Sequence, residues 1–236
     1  MLDQENICLL VEKKQREYKS VAPEIVQTSS FQFDDFQHYV DVNMNKKSAY
    51  TYTRGENPTL TILEEKLAQL EKGECAKVFA SGMGAISATI LSLVQQKDHI
   101  VIVNTVYGST VKFIQNLERF GVESTKIDVS STEDIFAFVK ENTKMIYFES
   151  PSSQKFEMLD LEMISQFAKQ RNIITVIDNT WATPLFQNPL VHGIDIVIHS
   201  CSKYIGGHSD LVGGVVISNQ KYIHEINEFG QIFLGA

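Results

Sequence analysis

A lysine between small hydroxyl residues marks the segment HSCSKYIGGHSD, which covers residues 199–210. The segment follows a mostly apolar run, IDIVI at residues 194–198, which is typical of a buried β-strand. An amine held in a partly desolvated pocket loses its proton more readily than one in water and can then act as a nucleophile. A lysine in a polar loop is more often an ordinary surface residue. The rest of the sequence must therefore decide between a reactive and a solvated Lys203.

Other polar groups follow other predicted strands. The segment SGMGA, residues 81–85, opens a predicted helix, where free backbone N–H groups and the helix dipole can bind an anion, although a tight turn also requires glycine. The strand over residues 173–178 ends in Asp178, a carboxylate that is costly to bury unless it is paired, although an aspartate in isolation more often caps a turn. Tyr107 follows another strand in NTVYGST, where a lone tyrosine is more often a packing residue.

The elements that must position these residues alternate between strand and helix. Near-continuous apolar strands separated by helices indicate a mostly parallel sheet that is covered on both faces. Residues 200–212 lack the helical crossover that a parallel return requires, so the last strand is predicted to be antiparallel. Strands are predicted over residues 76–80, 99–103, 122–127, 144–149, 173–178, 194–199 and 213–218, and helices over residues 6–18, 57–73, 82–96, 109–120, 132–140 and 161–171.

Ligands of such sheets bind outside the carboxyl ends of the strands, so the residues that follow the strands are expected to converge on one crevice. They offer an anion nest, a buried carboxylate, a tyrosine and a lysine flanked by hydroxyl groups. Pyridoxal 5′-phosphate uses all of these groups, because it has a phosphate, an aldehyde that forms a Schiff base with lysine, and a ring nitrogen that pairs with aspartate. The sequence therefore predicts a pyridoxal-phosphate site that contains Lys203 and Asp178.

Charge and cysteine use limit the possible partners. The 236 residues carry a formal net charge of -8, which argues against nucleic-acid and anionic-membrane partners. The three cysteines form no CxxC pattern, which predicts neither a disulfide framework nor a metal site and favours a reducing compartment. The N-terminal residues do not resemble a signal peptide, and no apolar stretch approaches the ~20 residues that span a bilayer. A cytoplasmic location is expected.

Six segments together resemble the Cys/Met-metabolism (transsulfuration) family of fold-type-I pyridoxal-phosphate-dependent enzymes. The family includes cystathionine γ-synthase, cystathionine γ- and β-lyases, methionine γ-lyase and O-acetylhomoserine sulfhydrylase. The resemblance implies the large domain of a fold-type-I transferase, with a mostly parallel seven-stranded sheet, one antiparallel strand and helices on both faces. It runs from about Tyr50 to the end of the chain and is carried by YTRGENPT, SGMGA, VYGST, FESP, VIDNTWATP and HSCSKYIGGHSD.

The resemblance implies roles for individual residues. Lys203 resembles the Schiff-base lysine, which also moves protons, and Asp178 resembles the partner of the ring nitrogen, whose negative charge favours the protonated ring. Tyr107 resembles the tyrosine that stacks on the ring and assists the leaving sulfur. Tyr52 and Arg54 resemble the pair that grips the phosphate of the neighbouring subunit. The other implied cofactor-binding residues are Ser81, Gly82, Met83, Ser153, Thr180, Ser200 and Ser202.

Two features depart from the family pattern. Ser153 stands where many members have the asparagine that contacts the ring hydroxyl, and a serine can donate there but reaches less far. The sequence ends before the family's C-terminal domain, which carries the arginine that binds the substrate carboxylate. We therefore expect a helix and an arm over residues 1–56 that reach a neighbouring subunit, a cofactor-binding large domain over residues 57–236, and no C-terminal small domain.

The resemblance predicts a carbon–sulfur lyase whose substrate is cystathionine or a related L-amino acid with sulfur at the γ or β carbon. A γ-replacement enzyme, of the cystathionine γ-synthase or O-acylhomoserine sulfhydrylase type, uses the same cofactor machinery and stays open as an alternative. A truncated protein that binds the cofactor without turnover is an alternative of another class. The resemblance also implies a homodimer with shared active sites that assembles into a tetramer.

Overall fold

Seven strands in the described residues form one sheet. The computed structural model describes residues 4–9, 20–44, 46–103 and 105–235. Each strand lies within two residues of a strand predicted from the sequence, because apolar runs between turns define buried strands well. The predicted fold class is confirmed. The strands are β1 (Cys75–Phe79), β2 (His99–Val103), β3 (Glu123–Ile127), β4 (Thr143–Glu149), β5 (Ile174–Asp178), β6 (Ile196–Ser200) and β7 (Gly214–Ser218).

The sheet order is β1-β7-β6-β5-β4-β2-β3. Strand β7 is antiparallel to both of its neighbours, β1 and β6, whereas the other pairs are parallel. The sequence predicts this direction, since residues 201–213 connect β6 to β7 without a helical crossover. Six strands therefore end at one edge of the sheet, and β7 begins at that edge.

The helices only partly follow the predicted pattern. Residues 10–19, where the predicted first helix continues, lie outside the described residues. The predicted helix over residues 132–140 is a 3₁₀ helix over Glu133–Phe138. None of the helices in the described residues is long and apolar enough to cross a membrane. The α-helices are α1 (Gln4–Leu9), α2 (Phe36–Asn43), α3 (Pro58–Glu71), α4 (Gly82–Leu93), α5 (Gly108–Asn116), α6 (Leu161–Gln170), α7 (Thr183–Phe186) and α8 (Gln220–Ile226).

Both faces of the sheet are covered by helices. Alternate residues of β2 point to opposite faces: Ile100 and Ile102 join the core under α4, α5 and α8, whereas Val101 and Val103 join the core under α6. All four of these side chains are fully buried. Apolar burial on both faces leaves the strands little freedom, so the side chains at their carboxyl ends project from a rigid frame.

The start of β7 packs closely against the start of α4. A Cβ atom on Gly214 would lie 2.3 Å from the carbonyl oxygen of Ser81, and one on Gly82 would lie 2.9 Å from the Cβ atom of Ser200. Only glycine permits both approaches. These two glycines therefore bring the N-terminus of α4 against the start of β7 and the end of β6.

Helix α3 begins as the sequence predicts but ends differently. Asn57 caps it by accepting a hydrogen bond from the backbone of Thr59, and Pro58 occupies the first turn. The left-handed residue at the end is Lys72, with φ of 59°, and not Gly73. Glycine is required at position 73 for packing, because a Cβ atom there would lie 2.4 Å from the Cγ2 atom of Ile217.

The segment before α3 forms an arm with some regular structure. Backbone hydrogen bonds of 3.1 and 3.0 Å join Phe31 to Thr51 and Thr53 to Ser29, so residues 29–31 and 51–53 run antiparallel with α2 between them. Helix α2 is not predicted from the sequence, because eight residues contain too few apolar repeats to establish a helical period. The division into an arm and a large domain stays a prediction.

Candidate cofactor site

A cavity of about 390 Å³ lies at the edge of the sheet where the parallel strands end. Its position agrees with the crevice expected for a parallel sheet. The residues that line it without having been predicted are Ile86, Glu149, Trp181, Tyr204 and Val212. Ten of the predicted site residues line it: Ser81, Gly82, Met83, Tyr107, Ser153, Asp178, Thr180, Ser200, Ser202 and Lys203.

The N-terminus of α4 supplies backbone donors to this cavity. Ser81 has an extended backbone and caps the helix, its Oγ atom accepting a hydrogen bond of 2.9 Å from the backbone N–H of Gly84. Within the described part of the chain, the N–H groups of Gly82 and Met83 find no acceptor, as expected for the first residues of a helix. The hydroxyl groups of Ser200 and Ser202 lie in the same cavity. This donor set fits a phosphate group.

Asp178 presents a buried carboxylate to the cavity. It is 9% exposed, and one of its oxygens accepts hydrogen bonds from the backbone N–H and the hydroxyl of Thr180. Burial raises the pKa of Asp178, against the opposing effect of these hydrogen bonds. The hydroxyl oxygen of Thr180 also accepts a 2.8 Å hydrogen bond from the backbone of Ser200. Thr180 therefore links the ends of β5 and β6 and fixes the carboxylate of Asp178.

Lys203 lies at the mouth of the cavity. Its Nζ atom donates a 3.1 Å hydrogen bond to the Oγ atom of Ser200. The residue is exposed, because this side of the cavity is open to solvent. The sequence predicts a partly desolvated amine at this position. The Oγ atom of Ser202 accepts a 3.1 Å hydrogen bond from the backbone of Gly213, which fixes the loop that carries the lysine to the start of β7.

Glu149 is a second buried carboxyl group in the cavity and is not among the site residues predicted from the sequence. One oxygen accepts a 2.7 Å hydrogen bond from the backbone of Tyr107, and the other accepts hydrogen bonds from the backbone and the hydroxyl of Ser153. Burial, followed by the charge of Asp178, raises the pKa of Glu149 to about 7. The criterion that singles out Asp178, a carboxylate at the end of an apolar strand, also applies to Glu149 in FESP.

Aromatic rings form one wall of the site. The ring of Trp181 lies 5.4 Å from that of Tyr204 and 5.1 Å from that of Phe156, measured between centroids. Tyr107 lines the cavity with half of its surface exposed. These rings come from distant segments, so no local pattern in the sequence predicts the cluster formed by Phe156, Trp181 and Tyr204.

A buried polar network supports the strand ends from the other side. The Nε2 atom of His199 lies 2.6 Å from a carboxylate oxygen of Glu71, at the end of α3. The same oxygen accepts a 2.8 Å hydrogen bond from the side chain of Asn179. Glu71 and His199 are both fully buried, and they fix the residues that follow Asp178 and precede Ser200. Sequence reasoning misses this network because its partners are more than a hundred residues apart.

Tyr52 and Arg54 lie apart from the cavity. They line a separate cleft of about 580 Å³ in the arm, together with residues 26–29. The guanidinium carbon of Arg54 lies 5.3 Å from the centroid of the Tyr52 ring. The predicted contact of this pair with a neighbouring subunit stays a prediction.

Comparisons with known proteins point to one family. A family model described as "Cys/Met metabolism PLP-dependent enzyme" matches residues 7–236. The chain is 40% identical over 215 residues to L-methionine gamma-lyase of Fusobacterium nucleatum subsp. nucleatum, which covers 90% of this chain and 54% of that protein. It is 41% identical over 199 residues to cystathionine gamma-lyase of Bacillus subtilis, which covers 84% of this chain and 52% of that protein.

A solved structure gives the same indication. The crystal structure of a putative O-acetylhomoserine (thiol)-lyase from Campylobacter jejuni subsp. jejuni, which contains N'-pyridoxyl-lysine-5'-monophosphate, superimposes with a TM-score of 0.88. The two sequences are 30% identical, and the match covers 95% of this chain and 56% of that one. The chain spans about half the length of the relatives it matches.

Proposed function

Because the chain belongs to the Cys/Met-metabolism family of pyridoxal-phosphate-dependent enzymes, we propose that it eliminates a thiol from cystathionine or a related sulfur-containing L-amino acid. The observation that carries the proposal is the meeting of Lys203, Asp178 and the N-terminus of α4 in one cavity. These groups match an aldehyde, a ring nitrogen and a phosphate. The C–S lyases among the relatives support elimination as the reaction.

Each group has a proposed task. Pyridoxal phosphate, when bound, supplies an aldehyde that takes up amines and a ring that withdraws electrons from the α carbon of the substrate. The N–H groups of Gly82 and Met83, with the nearby serine hydroxyls, bind the phosphate. The Asp178 carboxylate holds the proton on the ring nitrogen. The Lys203 amine would hold the aldehyde end of the cofactor and would move the proton of the substrate α carbon.

Tyr107 is proposed to act at the leaving sulfur. Its backbone N–H donates to Glu149, and its side chain lines the cavity with half of its surface exposed. A phenol hydroxyl can donate a proton to a departing thiolate. Tyr107 and Lys203 lie on loops after different strands, and both line the cavity.

Replacement of the leaving group by a second thiol is the alternative reaction. The structural similarity to a putative O-acetylhomoserine (thiol)-lyase favours it as a second candidate. Both reactions need the same groups in the cavity. Binding of the cofactor without turnover is the third outcome that the measurement below distinguishes.

Product analysis separates these candidates. The purified chain is incubated with pyridoxal phosphate and cystathionine, and keto acid and ammonia are measured with and without an added thiol. Elimination predicts 2-oxobutyrate or pyruvate without a thiol, and replacement predicts a new thioether only with one. Cofactor absorption that does not change on addition of cystathionine would contradict both reactions and would support binding of the cofactor without turnover. Lys203→Ala serves as the control for uncatalysed breakdown.

We further propose a homodimer with shared sites, paired into a tetramer, in the cytoplasm. The support for sharing is that Tyr52 and Arg54 are exposed on the arm and do not line the cavity of their own chain. The guanidinium group of an arginine and the hydroxyl group of a tyrosine are suited to bind the phosphate of a cofactor in the cavity of a second subunit. The location has the support of the three scattered cysteines, none of which is paired.

A further inference from the structure

Glu149 joins two loops that border the cofactor cavity. Its carboxyl group accepts the backbone N–H of Tyr107, which lies between β2 and α5, at 2.7 Å. It also accepts the backbone N–H of Ser153, in the loop after β4, at 3.1 Å, and contacts the Ser153 hydroxyl. Glu149 is 6% exposed, so its side chain contributes to the cavity from a fixed and largely dry position.

The carboxyl groups of Glu149 and Asp178 are neighbours. Parallel strands β4 and β5 pair these two residues in register, which places their side chains on the same face of the sheet. Two buried carboxyl groups at such a position cannot both ionise easily. The titratable groups that face this pair are Tyr147 on β4, Tyr107 before α5, Lys203 and Tyr204 after β6 and, from the opposite face of the sheet, His199.

We propose that Glu149 is a positioning residue that retains a proton beside Asp178 and thereby turns the Ser153 hydroxyl into a hydrogen-bond donor toward the bound cofactor. A hydroxyl group can both donate and accept. When Glu149 is ionised, Ser153 must donate to it. When Glu149 is protonated, it can donate to the Oγ atom of Ser153, and the serine hydrogen is then free to point into the cavity.

The chemistry of the pair supports this assignment. Burial and the charge of Asp178 raise the pKa of Glu149 to about 7, so the proton is held in the range where enzymes commonly work. Burial also raises the pKa of Asp178, and accepted hydrogen bonds favour the ionised form of both carboxyl groups. The positive charge of Lys203 acts on Asp178, which favours the ionised form of Asp178 over that of Glu149. The proposal requires that the cofactor bind in this cavity and does not depend on which reaction the enzyme catalyses.

Infrared spectroscopy of the cofactor-free chain tests the proton on Glu149. With ¹³C-labelled glutamate, we expect a protonated-carboxyl band at pH 6 that disappears by about pH 8.5 and is missing from Glu149→Gln. Glu64→Gln is the matched control, because Glu64 is also buried and accepts a backbone hydrogen bond, from Val78, but does not line the cavity. The band should persist in this control. Equal spectra for the wild type and a folded Glu149→Gln variant would overturn the proposal.

Cofactor affinity tests the direction of the Ser153 hydrogen bond. The Kd for pyridoxal phosphate is measured at pH 6 and pH 8.5 in the wild type and in Ser153→Ala, so that pH effects common to the two proteins cancel in the ratio of their Kd values. We expect the variant to bind about three- to tenfold more weakly at pH 6 and less than about twofold more weakly at pH 8.5, since one donor is lost only at the lower pH. A ratio that is equal at both pH values would overturn the proposal.

The same comparison in a Glu149→Gln background removes the switch. The glutamine amide does not titrate in this range, so the effect of Ser153→Ala should no longer depend on pH. A persistent pH dependence would assign it to another group and contradict the role of Glu149. If Glu149→Gln does not fold, the infrared spectrum of Glu64→Gln, which retains Glu149, tests the proposal instead. The absence of a band that titrates near pH 7 in that spectrum would contradict the proposal.

Discussion

The cofactor cavity and the arm hold their chemical groups in different ways. In the cavity, Glu149 and Asp178 are buried at the ends of paired strands, and each accepts hydrogen bonds from an adjoining loop. In the arm, Tyr52 and Arg54 are exposed, and the guanidinium group of Arg54 packs against the ring of Tyr52. Strand register thus fixes the cavity groups before a ligand binds, whereas the exposed arm groups are held by fewer contacts within their own chain.

Removal of the cavity lysine should have the largest effect. Lys203→Ala deletes the amine that is proposed both to hold the aldehyde and to move the α proton, so turnover should fall by about a thousand-fold or more. Borohydride treatment and peptide mass spectrometry of the wild type should find the pyridoxyl label on Lys203 alone. A label on a different lysine would contradict the assignment.

Asp178→Asn should have the next largest effect. Asparagine has nearly the same shape but no charge, so one to three pKa units of pairing with the ring nitrogen are lost, about 1.4–4 kcal/mol. Exchange of the substrate α proton, measured by NMR in D₂O, should slow by about ten- to a thousand-fold. Unchanged exchange would mean that Asp178 only caps a turn.

The buried carboxyl pair should make the stability of the cofactor-free chain depend on pH. The pKa of Glu149 is raised to about 7 in the folded state, so the folded chain binds a proton more tightly than the unfolded chain does. The free energy of unfolding should therefore fall as pH rises from about 5 to 8, by up to roughly 3 kcal/mol from this group. Urea unfolding across this range should give a smaller slope for Glu149→Gln, and an unchanged slope would exclude Glu149 as the source.

Arg54→Ala should have the smallest effect of the four and tests the arm directly. Loss of one charge-assisted contact should weaken cofactor retention about tenfold or somewhat more. Mixing Arg54→Ala chains with Lys203→Ala chains should restore one intact site per heterodimer, seen as cofactor absorption that returns. Heterodimers that form without this recovery would show that Arg54 acts within its own chain, and the contrast between cavity and arm would then disappear.

The sequence predicts those parts of the molecule that depend on local pattern. Apolar runs establish all seven strands, and the residues after them identify Lys203 and Asp178. Glu149 satisfies the same criterion and is missed only because FESP is used as a family motif. The network between Glu71 and His199 cannot be predicted in this way, because its partners are brought together by the packing of α3 against the sheet and by no local spacing. The short helices α7 and α8 contain too few apolar repeats to be detected.

The position of β7 has a consequence for the order in which the site is built. In the described sheet, β1 is an edge strand whose partner is β7, and β7 also completes the pairing of β6. Of the seven strands, β1 is synthesised first and β7 last. More than a hundred residues are therefore added after β1 before its partner in the sheet is present. Such long-range pairing forms late in folding. The N-terminus of α4, which is proposed to bind the phosphate, follows β1 directly, so this part of the cavity becomes complete only when the last strand is inserted.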